Sequence, residues 1–233
     1  MISTAIILAG GLGTRLKGVV RVVPKPMAPI RGRPFLEYQM DYWIDQGISR
    51  FILSVGYLND TITTHFGNKY RSSQIEYVHE DIPLGTGGAL LLASKNLTQP
   101  FLLLNGDTFF EVDLKDLYSF HNEHKAEWTM SLFRSKELDR YMGVELAKNG
   151  KILELKSQEN QLDLLANGGV YLLDPSVIDK LNLNSGIKFS LEDELLPSFL
   201  SIGGKLFGIE CYGKFIDIGI PVDYFRAQKI IDE

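Results

Sequence analysis

Cysteine is almost absent: Cys211 stands alone among 233 residues. One cysteine excludes an internal disulfide framework and any cysteine-based zinc site. Positive charge is also short, with 24 Lys plus Arg against 29 Asp plus Glu and a formal net charge of −5. Such a balance provides no basic surface for nucleic acid or an anionic membrane, and leaves room only for a local site that holds a small anion. Long apolar runs are missing too. The N-terminal run Ala5–Ala9 is brief and has no basic segment before it. It is too short for a signal-peptide core or a bilayer span, so a soluble cytoplasmic protein is expected. No repeat, charge block or Pro/Ser-rich linker divides the chain, and a single domain over residues 1–233 is expected.

What is present is a chain long enough for a full core, since at this size roughly 70–75% of the unfolded surface is buried on folding. Short apolar, β-branched or aromatic runs bounded by turn residues predict buried strands at Thr4–Ala9, Phe51–Val55, Ile75–His79 and Phe101–Leu104. Helical spacing falls between them, at Phe35–Gln46, Asp60–Phe66 and Gly88–Lys95. The second half predicts strands at Thr129–Phe133, Gly143–Leu146, Lys151–Leu155 and Gly169–Leu172. Helices are expected at Pro175–Leu181, Ser190–Leu200 and Pro221–Ile231. Strand–helix alternation implies a Rossmann-like, mixed but mainly parallel α/β sheet flanked by helices, running on into a mixed second half. Ligands in such sheets bind beyond the carboxyl ends of the strands, so the turns there are where chemistry is sought.

The first such turn is Gly10-Gly11-Leu12-Gly13-Thr14-Arg15-Leu16. Its glycines let backbone approach a ligand and aim N–H groups at an anion. Arg15 adds a permanently charged donor fork for phosphate. It is not a P-loop, because no Gly-Lys-Ser/Thr follows, and not GxGxxG, because Leu16 occupies the third glycine position. Ten residues on, Pro24-Lys25-Pro26-Met27 holds a lysine between two stiffening prolines. The second turn, Leu104-Asn105-Gly106-Asp107-Thr108, sets a carboxylate just past a buried strand. One carboxylate with phosphate oxygens and water is a usual way to hold Mg²⁺. Asp217, in Phe215-Ile216-Asp217-Ile218-Gly219, is another carboxylate in apolar surroundings, costly there unless paired or metal-bound. Glu80-Asp81-Ile82-Pro83-Leu84-Gly85-Thr86-Gly87-Gly88 is a glycine-rich helix entry suited to a flat base or a phosphate. His121 and His124 lie three apart on an expected helix and read as a solvated face. Tyr38, Tyr42 and Trp43 read as core aromatics.

Taken in order, LAGGLGTRL, PKPM, PLGTGGA, LNGDTF and FIDIGIP resemble the sugar-nucleotidyltransferase family, which joins a nucleoside triphosphate to a sugar 1-phosphate. The resemblance spans nearly the whole chain. RYMGVE, LANGGVYLLD, KFSLEDELLP and FIDIGIPVDYFRAQ resemble most the branch that guanylylates a D-glycero-α-D-manno-heptose 1-phosphate. This implies a GT-A-like nucleotidyltransferase fold, with a nucleotide-binding half of about residues 1–110 and a sugar-binding half of about 111–233. It implies GTP and a sugar 1-phosphate as substrates, and Mg²⁺ held by Asp107 and Asp217. Arg15 and Lys25 become the catalytic cations. Leu8, Gly10, Gly11, Gly13, Thr14, Gly85 and Thr86 become the nucleotide cradle. Gly143, Lys156, Asn167 and Gly168 become the sugar-phosphate site. The sequence departs from the family once: its Glu-Lys pair after the strand at Lys151–Leu155 is replaced by Ser157 and Gln158. Lys156, two residues before Gln158 and on the same face of an extended strand, is the expected substitute.

Two other readings stay open on the residues alone. One is the same chemistry on mannose or another hexose 1-phosphate with GTP, UTP or dTTP. The other is a non-catalytic regulator that binds a nucleotide sugar, which would be expected to lose the catalytic cations or aspartates. A homodimer is compatible with either.

Overall fold

The structure is a computed structural model that describes residues 2–11, 16, 20, 23–135, 140–156, 164–183 and 186–231. Strand β1 (Thr4–Leu8) is followed by the short pair β2 (Pro29–Ile30) and β3 (Arg33–Pro34), then α1 (Phe35–Asp45), β4 (Arg50–Val55) and α2 (Asn59–Phe66). Next come β5 (Lys69–Tyr70), β6 (Ser73–His79), α3 (Gly85–Ser94), β7 (Phe101–Asn105), β8 (Thr108–Phe110) and α4 (Leu114–Glu123). The second half holds β9 (Trp128–Ser135), β10 (Gly143–Leu146), β11 (Ile152–Lys156), β12 (Leu164–Leu173), α5 (Ser176–Leu181) and α6 (Leu196–Ser201). It closes with β13 (Leu206–Glu210), β14 (Phe215–Asp217) and α7 (Pro221–Ile230).

One sheet unites both halves, in the order β11-β10-β12-β7-β1-β4-β6-β5, with β9 on the far side of β12 and β13 beyond β9. Strands β7, β1, β4 and β6 are mutually parallel, whereas β12 runs antiparallel to β7. The central parallel strands β1, β4 and β7 are mostly apolar on both faces because both are covered, whereas β6 alternates buried and exposed residues. Ile7, Leu53 and Leu104 face α1 and α4, with Met40 and Trp43. Ile6, Ile52 and Leu103 face the other way, onto Leu90 of α3 and Phe199 of α6. Helix α1 starts behind Pro34 and buries Leu36, Met40 and Trp43, spaced four and three residues apart, the stripe that packs a helix on a sheet.

The expected strands and helices all occur, with ends shifted by a few residues. The largest difference is at β12, which starts at Leu164 rather than Gly169. The two glycines that read as a break are a bulge inside a continuous strand. Gly169 has φ +71°, and the pairing with β9 shifts between Asn167 and Tyr171. Strands β8 and β13 were not expected. β13 hides behind Gly208, whose Cβ would come within 2.6 Å of a Leu132 methyl. Tyr38 and Trp43 are core aromatics, as expected.

His121 corrects the reading of a solvated helix face. It is only 4% exposed, and its Nδ1 lies 2.8 Å from the Thr129 hydroxyl. His124 stacks on Phe120, with ring centroids 4.2 Å apart. Burial pushes the His121 imidazole below its ordinary value of 6.5, with the Asp174 charge opposing in part. Above pH 6.5 this group is neutral in the folded and unfolded chain alike. As the pH falls further the unfolded chain takes up the proton first, so stability declines until the folded-state value is reached. Urea midpoints measured from pH 7.5 to 5 should therefore fall, and His121→Gln should flatten that slope whatever its effect on absolute stability.

Candidate active site

The carboxyl ends of β1, β4 and β7 meet at glycines. The Gly106 amide donates to the Leu8 carbonyl at 3.1 Å, and a Cβ on Gly106 would sit 2.4 Å from that same oxygen. A Cβ on Gly10 would meet the Glu80 carboxylate at 2.4 Å and the Gly56 amide at 3.3 Å. The turns after the three strands are thus in backbone contact, which only residues without side chains allow. From beneath, Gln39 of α1 donates from Nε2 to the carbonyls of Asn105 (2.9 Å) and Thr108 (2.8 Å). Both backbone groups of the aspartate turn are thereby satisfied inside the protein.

Asp107 projects from this turn. Its carboxylate accepts from Lys25 Nζ at 2.6 Å, with the two side chains 31% and 11% exposed. Lys25 opens a 3₁₀ turn, Lys25–Met27, in which the Met27 amide donates to the Pro24 carbonyl at 2.8 Å and Pro26 and Met27 are buried. The proline-flanked lysine is therefore fixed at its backbone. The following β2–β3 pair is held by α7, whose Tyr224 hydroxyl donates to the Pro29 carbonyl at 2.7 Å.

Asp217 reaches the same place from the other end of the chain. Strand β14 pairs antiparallel with β8, setting Asp217 opposite Thr108, and the Ile218 amide donates to the Asp107 carbonyl at 3.0 Å. Burial raises the Asp217 carboxyl above the usual range, and the neighbouring Asp107 charge adds to this. The Gly219 amide, 2.6 Å away, and the cations Arg140 and Lys25 work in the opposite direction. Among the described residues no group of three His, Cys, Asp or Glu is arranged to hold a metal. Two converging carboxylates nonetheless fit a hard cation that takes its remaining oxygens from phosphate and water.

In the second half, Gly143 of β10 lies between Lys156 of β11 and Ala166 of β12. The Asn167 amide donates to the Met142 carbonyl at 3.1 Å, and the Asn167 side chain donates to the Tyr171 hydroxyl at 2.6 Å. Gly143, Lys156, Asn167 and Gly168 are thus gathered where β10 and β7 both border β12. Strand β11 does extend to Lys156. Gly13, Thr14, Arg15, Ser157 and Gln158 lie outside the described residues.

The glycines of PLGTGG have a packing role. A Cβ on Gly85 would lie 2.5 Å from the Phe189 carbonyl, one on Gly87 2.3 Å from the Phe189 ring, and one on Gly88 2.7 Å from the Ile187 carbonyl. They admit the segment before the wide helical turn Leu191–Leu195. Thr86 then donates to Glu192 at 2.9 Å and accepts from the Leu191 amide at 2.8 Å. Burial pushes the Glu192 carboxyl upward, Asn105 and Thr86 offset this by hydrogen bonding, and Asp107 adds repulsion.

Several residues here had no assigned role in the sequence. Gln39 is a lone amide on the buried stripe of α1, Glu80 stands just before PLGTGG, and Glu192 lies in KFSLEDELLP. Arg140 and Asp223 stand inside quoted segments as ordinary charges. Only the buried neighbours of Gln39 carried a signal that could have flagged it.

The fold and this constellation belong to the nucleotidyl transferases, and the family model matches residues 4–233. The chain is a member of that family. It is 42% identical over 97% of its length to the D-glycero-α-D-manno-heptose 1-phosphate guanylyltransferase of Aneurinibacillus thermoaerophilus, covering 96% of that protein. The enzyme of the same name from Campylobacter jejuni is 38% identical, over 95% of this chain and 97% of that one. Yersinia pseudotuberculosis HddC, solved in complex with GMP-PN, superimposes with a TM-score of 0.84 at 34% identity, over 98% of this chain and 99% of that one.

Because Gln39 donates to two carbonyls of the aspartate turn from below, Gln39→Leu should lower the unfolding free energy by about 1–3 kcal/mol, the cost of weakening the pairing of buried acceptors. Urea denaturation would show this as a reduced midpoint with an unchanged slope.

Proposed function

We propose that the protein transfers a guanylyl group from GTP to D-glycero-α-D-manno-heptose 1-phosphate, giving GDP-heptose and pyrophosphate, with Mg²⁺ as cofactor. The observation that carries this reading is the convergence of Lys25, Asp107 and Asp217 beside the Gly10 turn, in a chain whose nearly full-length relatives guanylylate that sugar phosphate. Residues up to about 110 would hold the nucleotide and those from about 111 the sugar. A reaction that consumes GTP fits the cytoplasm and the supply of an activated sugar for surface polysaccharide or glycan synthesis.

An oxygen of the sugar phosphate attacks the α-phosphorus of GTP in line. A new P–O bond forms there, the bond from that phosphorus to the α–β bridging oxygen breaks, and pyrophosphate departs with the electron pair. The nucleophile is already anionic at neutral pH, so no general base is needed. The work left to the protein is alignment of two polyanions and stabilisation of charge growing on the leaving group. Lys25 would supply a fixed cation, and Arg15 a second on the family pattern. Mg²⁺, held by Asp107 and Asp217, would add positive charge against phosphate oxygens. Leu8, Gly10, Gly11, Gly13, Thr14, Gly85 and Thr86 would cradle the nucleotide, and Gly143, Lys156, Asn167 and Gly168 the sugar phosphate.

Pyrophosphate release measured with Mg²⁺ over GTP, ATP, CTP, UTP and dTTP against heptose, mannose and glucose 1-phosphates tests the proposal. Release is expected with GTP and the manno-heptose phosphate. Release only with another pair would reassign the substrates, and silence with nucleotide still bound would point to a regulator. In the same assay, Lys25→Met should lower kcat by roughly 10²–10³-fold, as removal of a preorganised charge-stabilising donor does elsewhere. Near-normal turnover would remove Lys25 from the catalytic set.

A further inference from the structure

The acceptor side of this reaction needs a cation. A sugar 1-phosphate is close to a dianion and must be held against a triphosphate while it attacks. The family lysine for that task is absent at Gln158, so the position of other cations near the two aspartates becomes informative. Lys25 lies on Asp107. Asp217 is met by Arg140, whose Nη2 is 3.2 Å from its Oδ2.

Arg140 is built in, not draped on the surface. Its side chain is 17% exposed, and its guanidinium carbon lies 4.8 Å from the centre of the Tyr141 ring. Its other terminal nitrogen, Nη1, forms an ion pair with Asp223, a carboxylate on α7 whose side chain is 3% exposed. Asp223 is itself held by Arg226 at 3.0 Å. One edge of the fork is therefore tied to a buried anion while the other looks toward the site, an arrangement that fixes donor direction before any ligand arrives. The placement also suits the acceptor. Arg140 stands three residues before Gly143, the first residue of β10, which pairs with Lys156 and Ala166, so the segment that carries it leads into the proposed sugar site. Lys25 approaches Asp107 from the end of the chain that carries the nucleotide loop.

From this geometry we infer that Arg140 is a further catalytic residue, which joins Lys156 in binding the phosphate of the incoming sugar 1-phosphate and adds a cation where the family lysine is absent at Gln158. The inference rests on the proposed function, and in particular on Asp217 as a cation ligand. Once the charge of Asp217 is engaged by a bound cation, Nη1 of Arg140 stays anchored by Asp223 and the N–H groups of Nη2 turn to a phosphate oxygen.

The test is calorimetric titration of D-glycero-α-D-manno-heptose 1-phosphate into enzyme loaded with Mg²⁺ and a non-hydrolysable GTP analogue, on wild type, Arg140→Gln and Arg140→Lys. Arg140→Gln should weaken sugar-phosphate binding roughly ten- to a hundredfold, the scale of losing charge-assisted hydrogen bonds, and Arg140→Lys should recover part of it. Binding of the GTP analogue and of Mn²⁺ should be nearly unchanged, and in turnover the KM for the sugar phosphate should rise while that for GTP does not. Unchanged sugar-phosphate binding in Arg140→Gln overturns the proposal. So does an equal loss of Mn²⁺ and GTP-analogue affinity, which would make Arg140 only a support for Asp217. If Arg140→Gln does not fold, Asp223→Asn, which releases the anchored edge, replaces it and should show a smaller loss confined to the sugar phosphate. A wild-type protein that binds GTP analogue but no manno-heptose phosphate overturns the functional reading itself, and this inference with it.

Discussion

The carbonyl oxygen of Leu8 occupies the place where any side chain at position 106 would have to go. That single steric fact holds the ends of β1 and β7 in register and presses the two turns together. The aspartate turn of the site is built on this contact. Asp107 leaves a turn with no freedom to back away, Lys25 meets it from the loop after β1, and β14 hangs on the same turn through the Asp107 carbonyl. The underside is equally committed, since Gln39 spends one amide nitrogen on two carbonyls. The site is rigid where charge must be placed, as electrostatic catalysis requires.

Charge around the site is arranged in alternation. Lys25 faces Asp107, and Arg140 lies between Asp217 and Asp223, with Arg226 beyond. Removing charges from water is costly unless each has a partner, and here each cation has a carboxylate counterion. Burial raises the Asp217 carboxyl, and the Asp107 charge nearby adds to it. A chain with net charge −5 can thus bind two polyanions, because its positive charge is concentrated where it acts.

Much of this was legible in the sequence because local signals and tertiary structure agree. Four short apolar runs ended in glycine- or proline-marked turns, and each parallel strand was there. LNGDTF and FIDIGIP each put an aspartate at the end of a strand, and the structure brings the two together. Where legibility failed, a long-range contact had overruled a local signal. Gly168-Gly169 reads as a break, but only the neighbouring strands β9 and β7 reveal it as a bulge. His121 reads as exposed because nothing nearby in sequence announces Thr129 as its partner. The glycines of PLGTGG read only as space for a ligand, and the fold adds a packing role that local sequence does not announce: the chain itself, a hundred residues later, packs against three of them. Arg140 and Asp223 are ordinary charges until the fold sets them side by side.

The last helix adds a dimension of time. Through Tyr224 and Gln228, α7 grips Pro29 and Arg31, just after the loop that carries Lys25, while its neighbour β14 supplies Asp217. During synthesis Lys25 and Asp107 leave the ribosome well before Asp217, and the Tyr224 and Gln228 brace follows the lysine loop by some two hundred residues. A nascent chain can form the Lys25–Asp107 pair before β14 adds the second carboxylate and α7 the brace. A fragment truncated before α7 would keep Lys25, Asp107 and Asp217 but lose the grip on Pro29 and Arg31.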